Sequence, residues 1–169
     1  MLDEGRVSWY SILRRPPYST CGAISAMKLS RKGEYALRAM IVLGLEYGGG
    51  PIQIREIAQR ENIPKKFLEQ ILLELKRAGL VESTRGVGGG YSLIKRPEEI
   101  TLAKVIRTVD GPLAPLSCVS QLAHVKCPEQ DTCGLYRVMK DVRDAIAGIL
   151  EGVTVADICA RSGKVATGG

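Results

Sequence analysis

Between Pro64 and Leu93 the sequence changes period once, abruptly, and this change limits the fold more than any other feature. In PKKFLEQILLELKRAGLV the residues Leu68, Ile71, Leu72 and Leu75 fall at i, i+3, i+4 and i+7. That spacing makes one apolar stripe on a helix. Pro64 suits the first turn of this helix and Gly79 its C-cap. Its opposite face carries Lys66, Glu69, Gln70, Leu73 and Arg77. In the residues that follow, LVESTRGVGGGYSLIK, the helical period stops. Short apolar stretches at Leu80-Val81 and Tyr91-Ser92-Leu93 flank a glycine-rich turn, which is the pattern of a β-hairpin.

Two further helices precede this unit. SRKGEYALRAMIVLGLEYGGG predicts one, with Ser30 as N-cap, Gly33 and Glu34 in the first turns and the glycines at 48–50 ending it. PIQIREIAQRENI predicts a shorter one that turns Ile54, Ile57 and Ala58 inward and breaks at Asn62. Three helices with a short second-to-third turn, followed by a hairpin, describe a winged helix-turn-helix. Downstream, TLAKVIRTVDG is a short helix capped by Thr101. From Gly134 to Val153 apolar residues recur at Leu135, Val138, Met139, Val142, Ile146, Ile149, Leu150 and Val153. This long stripe has a spacing near 3.5 and suits packing either on its own domain or against its copy in a dimer. TVADICAR adds one short turn.

The expected fold class is therefore mainly α with a small β-hairpin wing: a winged helix-turn-helix plus a long dimerisation helix. Residues 1–26 show no periodicity and contain two adjacent prolines, so they read as a disordered extension ahead of a natural start at Met27. Residues 27–97 form the winged unit, and 98–133 hold the short helix and a cysteine-bearing loop. Residues 134–160 form the dimerisation helix and terminal turn, and 161–169 are a frayed tail.

Charge adds a partner. The net charge is +6, and residues 27–96 contain 13 Lys and Arg against 7 Asp and Glu. Residues 97–169 contain 8 against 9, so the excess lies in the front half. A basic front half points to an anionic partner, nucleic acid above all. No apolar run approaches the roughly 18 residues that cross a bilayer, and no membrane role is expected. The N-terminal residues lack the apolar core of a secretory signal. A cytoplasmic, reducing setting is expected, where clustered cysteines bind metal or do redox chemistry more often than they form structural disulfides.

The turn RGVGGGY is not a nucleotide-binding loop. It lacks the Gly-Lys-Ser/Thr of a P-loop, misses the last glycine of G-x-G-x-x-G and does not open a helix. As a wing it makes sense. Gly86 and Gly88 let the backbone approach phosphates, and Arg85 can reach the narrow, electronegative minor groove. In the third helix Lys65 and Lys66 can meet phosphates or guanine edges. Gln70 can read adenine, and Glu69 can accept from cytosine. Lys28, ahead of the first helix, completes the candidate DNA-binding set. No cofactor motif or general acid/base pair is present, so no enzyme is expected. A small thiol or iron–sulfur oxidoreductase is the weakest reading.

With MKLSRKGEYALRAM, FLEQILLELKRAGLVESTRGVGGGYSL and the later cysteines on the page, the chain resembles the Rrf2 family of bacterial transcription regulators over residues 27–160. Its iron–sulfur cluster, nitric-oxide-sensing and iron-response regulators are the types it is most similar to. The resemblance implies a homodimer joined by the long rear helix on a palindromic promoter site. It also implies base reading by Lys66, Glu69 and Gln70, and a minor-groove contact by Arg85. Finally, it implies a 2Fe-2S or 4Fe-4S cluster held by Cys118, Cys127 and Cys133, which sets promoter affinity.

Two departures stand out. The C-x8-C spacing between Cys118 and Cys127 is longer than in related sensors, and Tyr136 stands where the iron–sulfur cluster regulator has a histidine. In other members the fourth ligand is an acidic residue near the start of the partner's first helix, which corresponds to Glu34. His124 is a chemically legitimate ligand for zinc in a Cys₃His set. Direct thiol oxidation, or zinc in place of a cluster, remains the alternative. Cys21, in the extension, and Cys159, in the apolar terminal turn, have no assigned chemistry.

Overall fold

The structure is a computed structural model and describes residues 29–162. Lys28, Cys21, the expected extension and the end of the expected tail lie outside the described residues. The chain folds as α1 (Arg31–Leu45), α2 (Ile54–Glu61), α3 (Lys65–Arg77), β1 (Val81–Thr84), β2 (Gly90–Leu93), α4 (Leu102–Val109), α5 (Gly134–Gly152) and α6 (Val155–Arg161). Short 3₁₀ turns at Pro97–Glu99 and Ser117–Val119 punctuate it. The two strands pair antiparallel from Val81 opposite Leu93 to Thr84 opposite Gly90. Ile52 adds a bridge beside β2, exchanging backbone hydrogen bonds of 2.9 and 2.8 Å with Tyr91. This is a winged helix. Among the described residues, no helix is long and apolar enough to cross a membrane.

α1 is the hub. It packs against α2, α3, α4, α6 and β2, which needs small residues where the partners cross. Ala36 and Ala39 are wholly buried. A Cβ on Gly44 would stand 2.9 Å from both Cys159 Sγ and Val155 Cγ1 on α6. On α3 the stripe Leu68, Ile71, Leu72 and Leu75 is wholly buried as its spacing predicts. Burial of each such side chain contributes about 1.5–3 kcal/mol. At the tail, Val155 N–H donates to Ile100 O and Leu102 N–H to Val153 O, both at 2.9 Å. These bonds pin α6 to the start of α4.

The caps show where local signals hold and where they shift. Ser30 caps α1 by accepting from Gly33 N–H at 3.0 Å, and Thr101 caps α4 from Lys104 N–H at 3.3 Å. Asn62 ends α2 in the left-handed region at φ 51°. α1 stops at Leu45, ahead of the glycines, because Glu46 and Tyr47 N–H turn back to Val42 O and Gly44 O. Pro64 is the N-cap of α3 rather than part of its first turn: its ψ of 122° is extended, and its carbonyl accepts from Phe67 and Leu68 N–H. Ala78 is the C-cap residue of α3, and the expected Gly79 ends the helix just after it at φ 70°, with Gly79 and Leu80 N–H turning back to Lys76 O and Leu75 O, both at 3.0 Å. α6 runs to Arg161, and Thr154 and Asp157 form a capping box at its start. The Thr154 backbone N–H, then its hydroxyl, hold the Asp157 carboxyl below its ordinary range.

The α1–α6 crossing is testable. Gly44→Ala must push α6 away, so it should lower unfolding stability by about 1–3 kcal/mol. Chemical denaturation of the variant against wild type measures this. An unchanged midpoint would show that the crossing tolerates a methyl group.

Candidate nucleic-acid interface

The exposed face of α3 begins at its first turn. Lys65, Lys66, Glu69 and Gln70 are all exposed, because the buried stripe faces the other way. Lys65 Nζ lies 3.7 Å from Glu69. The side chains of Lys66 and Gln70 make no hydrogen bond or ion pair with any described residue, so their polar groups are presented to solvent. Further along, Glu74 pairs with Lys32 of α1 at 2.7 Å, and Lys76 donates to Ser83 Oγ on β1. α3 and the wing are thus joined by a polar contact as well as by packing.

At the wing, Arg85 leaves β1 exposed and without a partner among the described residues. Gly86 and Gly88 take φ of 106° and 80°, a region in which a Cβ is strained. The glycines therefore do what the sequence asks of them: they make a thin turn whose one cation points away from the body. The expected residues of α3 and the wing are exposed, and Lys28 lies outside the described residues.

The cysteines sit elsewhere. Cys118 is in the 3₁₀ turn, Cys127 opens the next turn by accepting Gln130 N–H at 3.1 Å, and Cys133 caps α5 by accepting Tyr136 N–H at 3.4 Å. All three are free and half-buried. Among the described residues, no three His, Cys, Asp or Glu side chains converge as a ligand set. The donors suit an iron–sulfur or zinc group by their chemistry. Their segment must close to bring them together. His124 Nε2 lies 3.2 Å from Gln130 Oε1, and Glu34 accepts from Arg38 of its own helix at 2.5 Å. Cys159 is separate from these thiols. It donates to Ile41 O at 3.5 Å, and burial pushes its thiol pKa up, which keeps it protonated.

Sequence reasoning missed the residues that hold this segment. Asp110, at the end of α4, accepts from Ser30 Oγ and, at 3.3 Å, from Ser30 N–H, and a side chain on Gly33 would collide with its carboxylate. Arg143 of α5 donates to the Val119 carbonyl at 2.6 Å. Arg107 of α4 pairs with Glu151 of α5 at 2.5 Å. Ser30 as a helix cap was visible in sequence. Its second partner, eighty residues away, had no local signal.

α5 differs from every other helix. None of its residues is buried, and Leu135, Val138 and Ile149 are exposed.

The chain was compared with known proteins. Residues 29–161 match the Rrf2 family model, described as an iron-dependent transcriptional regulator. An Rrf2-like HTH-type transcriptional regulator of Rhodobacter capsulatus is 37% identical, over 82% of this chain and 96% of its own length. The HTH-type transcriptional regulator CymR of Bacillus subtilis is 36% identical over 78% of this chain and 89% of its own. The solved CymR, titled the global cysteine regulator of B. subtilis, superposes with a TM-score of 0.67 at 35% identity, covering 79% of this chain and 97% of that one. The solved IscR of T. potens gives 0.63 at 30% identity, covering 80% and 88%. The fold and these likenesses agree: the chain belongs to the Rrf2 family of DNA-binding transcriptional regulators.

Proposed function

We propose that the protein is a homodimeric, sequence-specific regulator whose promoter affinity is set by an iron–sulfur cluster on Cys118, Cys127 and Cys133. The carrying observation is the pairing of an exposed α3 face with an exposed wing cation on the basic half of the chain. Lys65 and Lys66 would place α3 against phosphates, while Glu69 and Gln70 would read base edges in the major groove. Arg85 would enter the minor groove beside them, with Gly86 and Gly88 letting the backbone approach. Lys28 would add a phosphate contact. Such a protein works in the cytoplasm, on a promoter.

The dimer reading rests on α5. A 19-residue helix with no residue fully buried in its own protomer exposes Leu135, Val138 and Ile149. A second copy would cover that stripe and match a palindromic site. Glu34 of one protomer would then be available as a fourth ligand to the other's cysteines, in exchange for its contact with Arg38.

Bound on three thiolates, a cluster supplies a centre that oxygen, nitric oxide or iron loss can attack. The chain's own part is to hold the thiolates: Cys118 from a 3₁₀ turn, Cys133 from a helix start, Cys127 from the turn between. Ordering this segment would bias α5 and its partner between two arrangements. A specific observation favours a second reading, in which the thiols act directly by oxidation: among the described residues they are free and not gathered. Zinc on the same thiols is the other form of that reading and would need them brought together as a cluster does.

Three measurements separate these readings. Arg85→Ala should weaken duplex binding by ~1–3 kcal/mol, and unchanged affinity would remove Arg85 from the interface. Anaerobically purified protein should show a visible sulfur-to-iron absorption band that disappears in Cys127→Ala. Colourless protein after anaerobic reconstitution with iron and sulfide would leave the thiol or zinc reading standing alone. Ile149→Glu should shift the protein from dimer to monomer in light scattering, and a wild-type monomer would overturn the dimer reading.

A further inference from the structure

The wing ends in a single side chain that touches nothing. Five residues, 85–89, join β1 to β2, and three of them are glycine. Between the left-handed Gly86 and Gly88 stands Val87, exposed to 112% of its reference surface. The turn has no room to spread. A Cβ on Gly89 would collide with the Thr84 carbonyl oxygen, and one on Gly90 with the Ile52 carbonyl oxygen. Gly89 N–H also donates to Gly86 O at 3.0 Å. The β2 end of the turn is held in turn by the Ile52–Tyr91 bridge. A β-branched residue, stiff at χ1, is therefore presented on a thin, braced tip with a cation, Arg85, at its neck. Its two methyl groups contribute nothing to the protomer's own packing.

The geometry points to Val87 as a specificity residue of the wing: an apolar probe that accepts A·T pairs in the minor groove and rejects the exocyclic amine of guanine. The inference rests on the DNA-binding reading above. The minor groove is about 6 Å wide, which suits one side chain flanked by glycines and not a bulkier turn. Its floor offers only acceptors on A·T pairs, and on G·C pairs it adds the protruding guanine N2 amine. Valine has no acceptor for that amine. Pressed against G·C, it would strip the amine of water and leave it unpaired, a loss that A·T does not incur. Arg85, drawn to the stronger negative potential of a narrow A·T groove, pulls the same way.

The full-length protein is used to select duplexes from a random pool, and a hydroxyl-radical footprint locates the minor-groove positions under the wing. One A·T pair there is replaced by G·C and then by inosine·C, which lacks the amine. Wild type should lose roughly 5- to 100-fold in affinity on G·C and regain it on inosine·C. In Val87→Ser, whose hydroxyl oxygen can accept from the amine, the discrimination should fall to within about twofold of none, while Arg85→Ala should weaken all three duplexes. Circular dichroism melts of the variants confirm that they are folded. Equal wild-type affinity for the three duplexes, no rescue by inosine, or a Val87→Ser that discriminates like wild type would overturn the inference and leave DNA binding intact. A pool from which wild type selects no duplex overturns both.

Discussion

Close approach to α1 is the constraint on which the rest of this fold depends. Four helices and a strand lie against one fifteen-residue helix. They can do so because Gly33, Ala36, Ala39 and Gly44 leave the space their partners fill. At one end, the absent side chain of Gly33 admits the Asp110 carboxylate. At the other, that of Gly44 admits Cys159 and Val155. Interiors are packed at crystal-like density, so these two gaps set the height at which α4 and α6 dock. The position of α3 follows from the same hub, since its buried leucines and Ile71 meet the remaining face and Lys32 ties Glu74 across the surface.

Much of this was legible because it is periodic. The stripe of α3 and the switch to alternation at the wing declare themselves within thirty residues, and each cap at Ser30, Thr101 and Asn62 has a local chemical cause. The stripe of α5 was also legible, and that none of its residues is fully buried within the protomer became visible only in three dimensions. What the sequence concealed are single long-range pairings: Asp110 with Ser30, Arg143 with Val119, Arg107 with Glu151. Each joins one polar residue to one distant group, and such pairs leave no pattern along the chain. The end of α1 moved from the glycines to Glu46 for a related reason. A helix end is decided by which N–H can turn back to a free carbonyl, not by residue type alone.

The candidate interface residues divide the same way. Lys66, Glu69 and Gln70 could be placed because a helix with one apolar stripe has one opposite face. Val87 could not be singled out from its glycine neighbours until the turn's dihedrals and exposure showed it alone at the tip.

The Arg143 contact has a mechanical consequence. Because its guanidinium grips Val119 O, and because Cys133 caps the same helix, the stretch from 119 to 133 is a handle with both feet on α5. Cys118 stands beside one foot, Cys133 is the other, and Cys127 rides on the bow between them. A pull on the bow loads α5 at both feet, and the Arg107–Glu151 pair carries that load across to α4. The handle is thus built on the helix that the protomer covers least.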